Sequence, residues 1–67
     1  MKVIINDKEH VFDLKELALI DMLNKVNMKP TGLIVELDGM ILKSNEFTDA
    51  VVKDGSRVEL IRIVGGG

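Results

Sequence analysis

Apolar and polar residues alternate at the start of the chain, which is the pattern of a strand with one buried face. Residues 1–6 place Val3 and Ile5 on the same side of such a strand. Residues 6–8 are turn-forming, and residues 10–12 can return beside the first strand. The chain is therefore predicted to open with a β-hairpin.

A period near 3.6 residues then replaces the alternation and predicts a helix over residues 18–27. The apolar side chains on one side of this helix are Leu19, Ile20, Met22, Leu23 and Val26. Residues 13–16 resemble a capping box, which would start the helix near Leu14 instead. Because Leu14 and Leu17 fall off the apolar side, we favour the later start, preceded by a loop or a loose turn. Residues 30–32, Pro-Thr-Gly, stop the helix.

The second half of the chain returns to strand patterns. Residues 33–43 predict a hairpin, because two apolar segments flank Asp38-Gly39, a strong two-residue turn signal. Residues 44–52 lose the alternation and predict a short helical turn that crosses the fold. Its expected core side chains are Phe47, Val51 and Val52. Asp54-Gly55 forms the next turn, and residues 57–64 form the final strand.

The order strand, strand, helix, strand, strand, crossover, strand predicts an α+β fold. In so short a chain the helix must lie across one face of a single mixed sheet. The last strand is best placed beside the first, since both are apolar enough to be central. This arrangement is a β-grasp, or ubiquitin-like, fold over residues 1–64, followed by a flexible tail of glycines at residues 65–67.

Composition narrows the classes of function. A chain of 67 residues buries only about 60% of its unfolded surface, which leaves little room for a substrate cavity. It has no cysteine and one histidine, His10, so neither a metal site nor a catalytic thiol is expected. A net charge of −2 and two aromatic residues disfavour nucleic-acid binding. No segment has the roughly 20 apolar residues that span a bilayer, and a cytoplasmic location is expected.

Three consecutive glycines, Gly65, Gly66 and Gly67, end the sequence. At an average glycine usage of about 7%, such a run at one fixed place arises by chance roughly three times in ten thousand. Because glycine has no Cβ, this tail can pass through a channel that is too narrow for side chains. The α-carboxylate of Gly67 can attack a phosphorus atom when a partner positions it. The alternative interpretation is a frayed or engineered tail.

Several short motifs occur in an order that is typical of one family. They are Asn6-Asp7-Lys8-Glu9, Met22-Leu23, Val35-Glu36-Leu37-Asp38-Gly39, Lys53-Asp54-Gly55-Ser56 and the terminal glycines. With these motifs the chain resembles the small sulfur-carrier proteins of the ThiS and MoaD group. Asp7, Asp38 and Ser56 depart from the family pattern. The approach to the glycines lacks the proline that is common in MoaD proteins, which favours ThiS.

The resemblance implies a protein co-substrate rather than an enzyme. A ThiF-like adenylyltransferase would use ATP and Mg²⁺ to adenylylate the carboxylate of Gly67, and a sulfur donor would convert it to a thiocarboxylate. A ThiG-like thiazole synthase would then accept the sulfur for the thiazole of thiamine. The chain itself would bind no cofactor. The alternatives are a MoaD-like carrier for molybdopterin, a ubiquitin-like protein modifier, and a β-grasp binding module with incidental glycines.

Such partners need a docking surface on the folded body, because the three glycines span at most about 10–11 Å. In the last strand Val58 and Leu60 are expected to face the core, which turns the side chains between and beyond them outward. The predicted docking residues are Ile4, Glu59, Ile61, Arg62 and Ile63. The isoleucines would form an exposed apolar patch, and the charged residues would orient the partner.

Overall fold

The computed structural model describes residues 1–63 and contains seven strands and one α-helix in that range. The strands are Lys2–Ile5 (β1), Lys8–Val11 (β2), Glu16–Ala18 (β3), Leu33–Leu37 (β4), Met40–Leu42 (β5), Val51–Lys53 (β6) and Arg57–Arg62 (β7). The helix α1 is Leu19–Lys25, and a short 3-10 turn occupies Ser44–Glu46. The predicted tail, Gly65 to Gly67, and the predicted last strand residue, Val64, lie outside the described residues.

Five of the strands form one mixed sheet in the order β2-β1-β7-β4-β5. β1 and β7 run parallel, whereas the other neighbouring pairs are antiparallel. The last strand therefore lies beside the first and occupies the centre of the sheet, as the sequence predicts. This five-stranded sheet with α1 against it is the predicted β-grasp fold.

The core lies between α1 and one face of this sheet. Its buried side chains are Val3, Ile5, Leu19, Met22, Leu23, Leu33, Val35, Phe47, Val52, Val58 and Leu60. Neighbouring side chains on a strand point to opposite faces. β7 follows this rule, because Val58 and Leu60 are buried, Glu59 is half-buried and Ile61 is exposed. The predicted inward face of the last strand is confirmed.

Both predicted hairpins are present, and their turns explain why they form. Asp38 (φ 48°) and Gly39 (φ 86°) join β4 to β5. Asn6 (φ 49°) and Asp7 (φ 66°) join β1 to β2. Positive φ at both central residues defines a type I′ turn, whose twist matches that of the flanking strands. Asn, Asp and Gly tolerate this left-handed region better than other residues.

The helix begins at Leu19, which confirms the later of the two predicted starts. The segment before it is neither a capped helix nor a loop, because Glu16–Ala18 form β3 and pair with β6 in a second, two-stranded sheet. The N–H of Leu19 donates to the carbonyl oxygen of Ala50 at 2.9 Å. A tertiary contact, rather than a side-chain cap, thus defines the start of the helix. No helix in residues 1–63 is long and apolar enough to cross a bilayer.

The prediction for residues 44–52 is correct for two of its three core side chains. Phe47 and Val52 are buried, whereas Val51 is exposed over 39% of its surface. Val51 and Val52 are adjacent in β6, so the strand must turn one of them outward. The error arose because the sequence pattern did not reveal β6.

We predict that Leu60→Ala lowers the free energy of unfolding by about 2–5 kcal/mol, because it leaves a cavity in the core. Ile61→Ala is the matched control on the same strand, since its side chain is 54% exposed. We expect this control to lower the free energy of unfolding by about 0.5 kcal/mol or less. Urea unfolding of both variants measures the difference, and equal losses would contradict the assigned faces of β7.

The side chain of Asn6 extends the pairing of β1 with β7 by hydrogen-bonding to the backbone of Leu60, and we predict that these bonds stabilise the fold. Its Oδ1 accepts from the N–H of Leu60 at 2.7 Å, and its Nδ2 donates to the carbonyl oxygen of Leu60 at 3.2 Å. Asn6→Gly removes both hydrogen bonds while tolerating the positive φ, and should cost about 1–3 kcal/mol. Asn6→Ala should cost more, because it adds strain at this φ. A fully stable Asn6→Gly variant in thermal unfolding would refute this role.

Candidate functional site

The end of β7 is the described part of the chain nearest to the predicted tail. On one side β4 pairs with it as far as Arg62, which lies opposite Leu33. The N–H of Ile63 then donates to the carbonyl oxygen of Gly32 at 2.9 Å. On the other side the backbone register with β1 ends at Val58. The last residues of β7 are thus held mainly from the β4 side.

The sheet face opposite α1, here called the open face, carries exposed isoleucines near the end of β7. Ile61 is 54% exposed and lies directly opposite the half-buried Ile34 of β4. Ile41 of β5 is 70% exposed and lies opposite Glu36. We call Ile34, Ile41 and Ile61 the outer patch. The sequence analysis identified only Ile61, although the alternation of residues 33–37 also turns Ile34 outward.

Ile4 faces the same side of the sheet but does not join the outer patch. It is half-buried and lies opposite Arg57 in the parallel register of β1 and β7. Ile61 lies four residues farther along β7, which is about 13 Å at the rise of a strand. The predicted grouping of Ile4 with Ile61 is therefore wrong, because the register of β1 could not be read from its alternation alone.

Ile63 borders a groove on the helix side of the sheet. This open groove has a volume of about 490 Å³. Its other lining residues are Ile20, Pro30, Thr31, Gly32, Leu33, Ser44, Phe47 and Thr48. None of them carries a carboxylate, an imidazole or an amine that could act as a general acid or base. The groove therefore offers apolar contacts and hydroxyl groups, but no acid–base chemistry.

Arg62 is engaged within the fold rather than free at the rim of the open face. Its Nη1 donates to the carbonyl oxygen of Thr31 at 2.8 Å, and its Nη2 donates to that of Lys29 at 2.9 Å. These carbonyl groups belong to the segment that joins α1 to β4. Arg62 and Glu59 were both predicted to supply charge that orients a partner, but their side chains lie on alternate sides of β7 and so do not share one rim.

Two carboxylates face each other next to the outer patch. Glu59 of β7 lies directly opposite Glu36 of β4, and both residues are half-buried. Neither glutamate forms an ion pair within the described range. The nearest basic residue on β7 is Arg57, and its guanidinium pairs instead with the carboxylate of Asp7 at 3.5 Å. Like charges at directly opposite positions repel each other. The open face thus combines an apolar patch with a local negative charge.

The described residues 1–63 contain no cluster of His, Cys, Asp or Glu that could hold a metal ion. Their distinctive features are an exposed apolar patch, an acidic pair and the fixed end of a central strand. These features suit a body that docks on a partner and presents the segment that follows Ile63.

Comparison with known proteins identifies the family. The profile of the ThiS family matches residues 3–67. A crystal structure of the thiamine biosynthesis protein ThiS from Geobacter metallireducens has 30% sequence identity and a TM-score of 0.87, with full coverage of both chains. An NMR structure of a thiamine biosynthesis protein from the same organism also has 30% identity, with a TM-score of 0.80 over all of this chain and 88% of the other. No match was found among curated proteins. The family profile and the fold agree over nearly the whole sequence, and the chain therefore belongs to the ThiS family.

Proposed function

We propose that this chain is a sulfur carrier in thiamine biosynthesis and that the carboxylate of Gly67 is the group that receives the sulfur. The main support is the ThiS family match, which extends from residue 3 through the glycines to Gly67. The similar solved structures, both of a thiamine biosynthesis protein, support the same pathway. A cytoplasmic location belongs to the proposal, since a chain without cysteine needs no oxidising compartment.

The proposed chemistry has two steps. A carboxylate oxygen of Gly67 attacks the α-phosphorus of ATP, so that an acyl-adenylate forms and pyrophosphate leaves. Sulfur supplied at the sulfide level, as hydrosulfide, then attacks the acyl carbon and displaces AMP, and loss of the S–H proton leaves a thiocarboxylate. The adenylate is needed because AMP is a good leaving group, whereas an oxygen of a free carboxylate is a poor one. The thiocarboxylate finally transfers its sulfur to the acceptor that becomes the thiazole.

In this proposal the partners supply the catalytic groups. A ThiF-like adenylyltransferase binds ATP and Mg²⁺ and positions the carboxylate. Such positioning can remove a large part of the activation free energy of a reaction between two molecules. A ThiG-like thiazole synthase accepts the sulfur. The chain is a co-substrate that binds no cofactor of its own. The groove beside Ile63 supports this division of roles, because its lining provides no general acid or base.

Docking in this proposal uses the outer patch. Its isoleucines provide apolar contact area beside the end of β7, and Glu59 with Glu36 provides a charge that can orient the partner. Ile61 and Glu59 keep the docking role that the sequence suggested. Ile4 lies farther along the open face. Arg62 is held by the carbonyl oxygens of Lys29 and Thr31, and Ile63 borders the groove on the helix side.

The direct test is intact-mass analysis of the chain after incubation with its cognate adenylyltransferase, MgATP and a sulfur source. We expect the mass to increase by the difference between sulfur and oxygen, with the change located at Gly67. Omission of ATP is the control and should leave the mass unchanged. Attachment of the chain to protein lysines would instead support a ubiquitin-like modifier, and no conversion at all would refute sulfur carriage.

We predict that Gly66→Ala reduces the rate of adenylylation at least tenfold but leaves the melting temperature unchanged. The added Cβ restricts φ/ψ and widens the tail where it must enter the active site of the partner; a 1 Å misplacement of a reacting group can cost about a hundredfold. Asn45→Ala, a change at an exposed position outside the tail, the outer patch and the groove, serves as the control. Equal adenylylation rates for Gly66→Ala and the parent chain would contradict a narrow channel.

We also predict that Ile61→Ala weakens binding to the adenylyltransferase about tenfold, or about 1.4 kcal/mol, the loss expected if Ile61 is one of the few contacts that carry most of the binding energy. Ile4→Ala makes the same chemical change on the same face, about 13 Å away. We expect less than about a twofold effect from this control. Titration calorimetry measures both affinities, and a larger loss for Ile4→Ala would move the docking surface to the β1 side of the open face.

A further inference from the structure

Arg62 joins two parts of the fold that meet where the described chain ends. Its guanidinium donates to the carbonyl oxygens of Lys29 and Thr31, at 2.9 and 2.8 Å. The next residue, Ile63, donates its N–H to the carbonyl oxygen of Gly32 at 2.9 Å. Three hydrogen bonds thus attach the last two described residues to the segment between α1 and β4.

These bonds matter because the pairing of β7 is one-sided at this point. The β1 side provides backbone register only as far as Val58, and the side chain of Asn6 extends the contact to Leu60. Beyond Leu60 the strand end relies on β4 and on the segment that Arg62 contacts. Chain ends with few such contacts open locally at little cost in free energy. Loss of the guanidinium should therefore make the end of β7 open more often, because only the backbone pairing of Arg62 with Leu33 and the bond from Ile63 to Gly32 would remain.

We propose that Arg62 is a positioning residue for the reaction at Gly67, a role that rests on the proposed sulfur-carrier function. With Arg62 in contact, four residues separate Ile63 from the end of the sequence, a span of at most about 13–14 Å. If the strand frays back to Ile61, six residues follow the last fixed position. Arg62 acts by keeping this connection short and fixing its direction, and it makes no contact with the reacting atoms.

The size of the effect follows from the length of the connection. The effective concentration of a group on a flexible connection falls roughly as the −3/2 power of its length. An increase from four residues to six therefore lowers the effective concentration of the Gly67 carboxylate about twofold. Loss of a fixed direction for the chain after Ile63 lowers it further. The affinity of the docked body should not change, because the outer patch remains intact.

The kinetic experiment compares Arg62→Ala with the parent chain in single-turnover adenylylation by the cognate adenylyltransferase, over a range of enzyme concentrations. We expect the maximal rate to fall at least twofold, while the concentration for half-maximal rate stays the same. Arg62→Lys should fall between the two, since an ammonium is a point donor and cannot reproduce the two-pronged guanidinium. Insertion of two glycines between Ile63 and Val64 lengthens the connection directly and should reproduce the loss with Arg62 in place.

A second measurement uses the chain without its partner. In amide hydrogen exchange by NMR, Arg62→Ala should make the N–H of Ile63 exchange about tenfold faster, while the N–H of Val35 in the middle of β4 keeps its protection. This readout shows whether the strand end is released. A merely structural role would leave the maximal rate of adenylylation unchanged, even if exchange became faster.

The outcomes separate this inference from the function on which it rests. An unchanged maximal rate for Arg62→Ala, with normal adenylylation of the parent chain, overturns the positioning role alone. A rise in the half-maximal concentration without a change in maximal rate also overturns it, because Arg62 would then be a docking contact. Failure of the parent chain to be adenylylated overturns the proposed function and this inference together.

Discussion

The position of β7 between β1 and β4 is the constraint on which the rest of the structure depends. A parallel neighbour on one side and an antiparallel neighbour on the other place this strand in the middle of the sheet. Its inward side chains, Val58 and Leu60, complete the core against α1. Its outward side chains, Glu59 and Ile61, lie on the open face. One strand therefore stabilises the fold, forms part of the proposed docking surface and leads to the glycines.

This placement is consistent with the proposed role of the chain as a co-substrate for partner enzymes. β7 is paired with β1 at its start and with β4 up to Arg62, so docking at Ile61 would fix the position of residues only a few positions away. The described residues that line the groove beside Ile63 include no acid or base. In the proposed division of roles, the body binds and orients, and the partners activate and transfer.

The sequence predicted those features that depend on local chemistry. Asp38-Gly39 formed its turn because few other residue pairs tolerate two positive φ angles, and the apolar side of α1 placed the helix correctly. Features that depend on distant partners were missed. Glu16–Ala18 became a strand only because Val51–Lys53 lies beside it, and Ile4 was misplaced because alternation shows a face but no register. The hydrogen bonds of Arg62 were hidden for the same reason, since their acceptors are backbone carbonyl groups 31 and 33 positions earlier in the chain.

The central claim is that the adenylyltransferase binds the open face around β7 and draws in the segment that follows it. The most direct measurement is an NMR titration of the isotope-labelled chain with this partner. The account predicts that the largest changes in amide signals occur at Ile34, Glu59 and Ile61 and in the glycines, with little change along α1. Changes concentrated on α1 and the Ser44–Glu46 turn, with the open face unaffected, would contradict it.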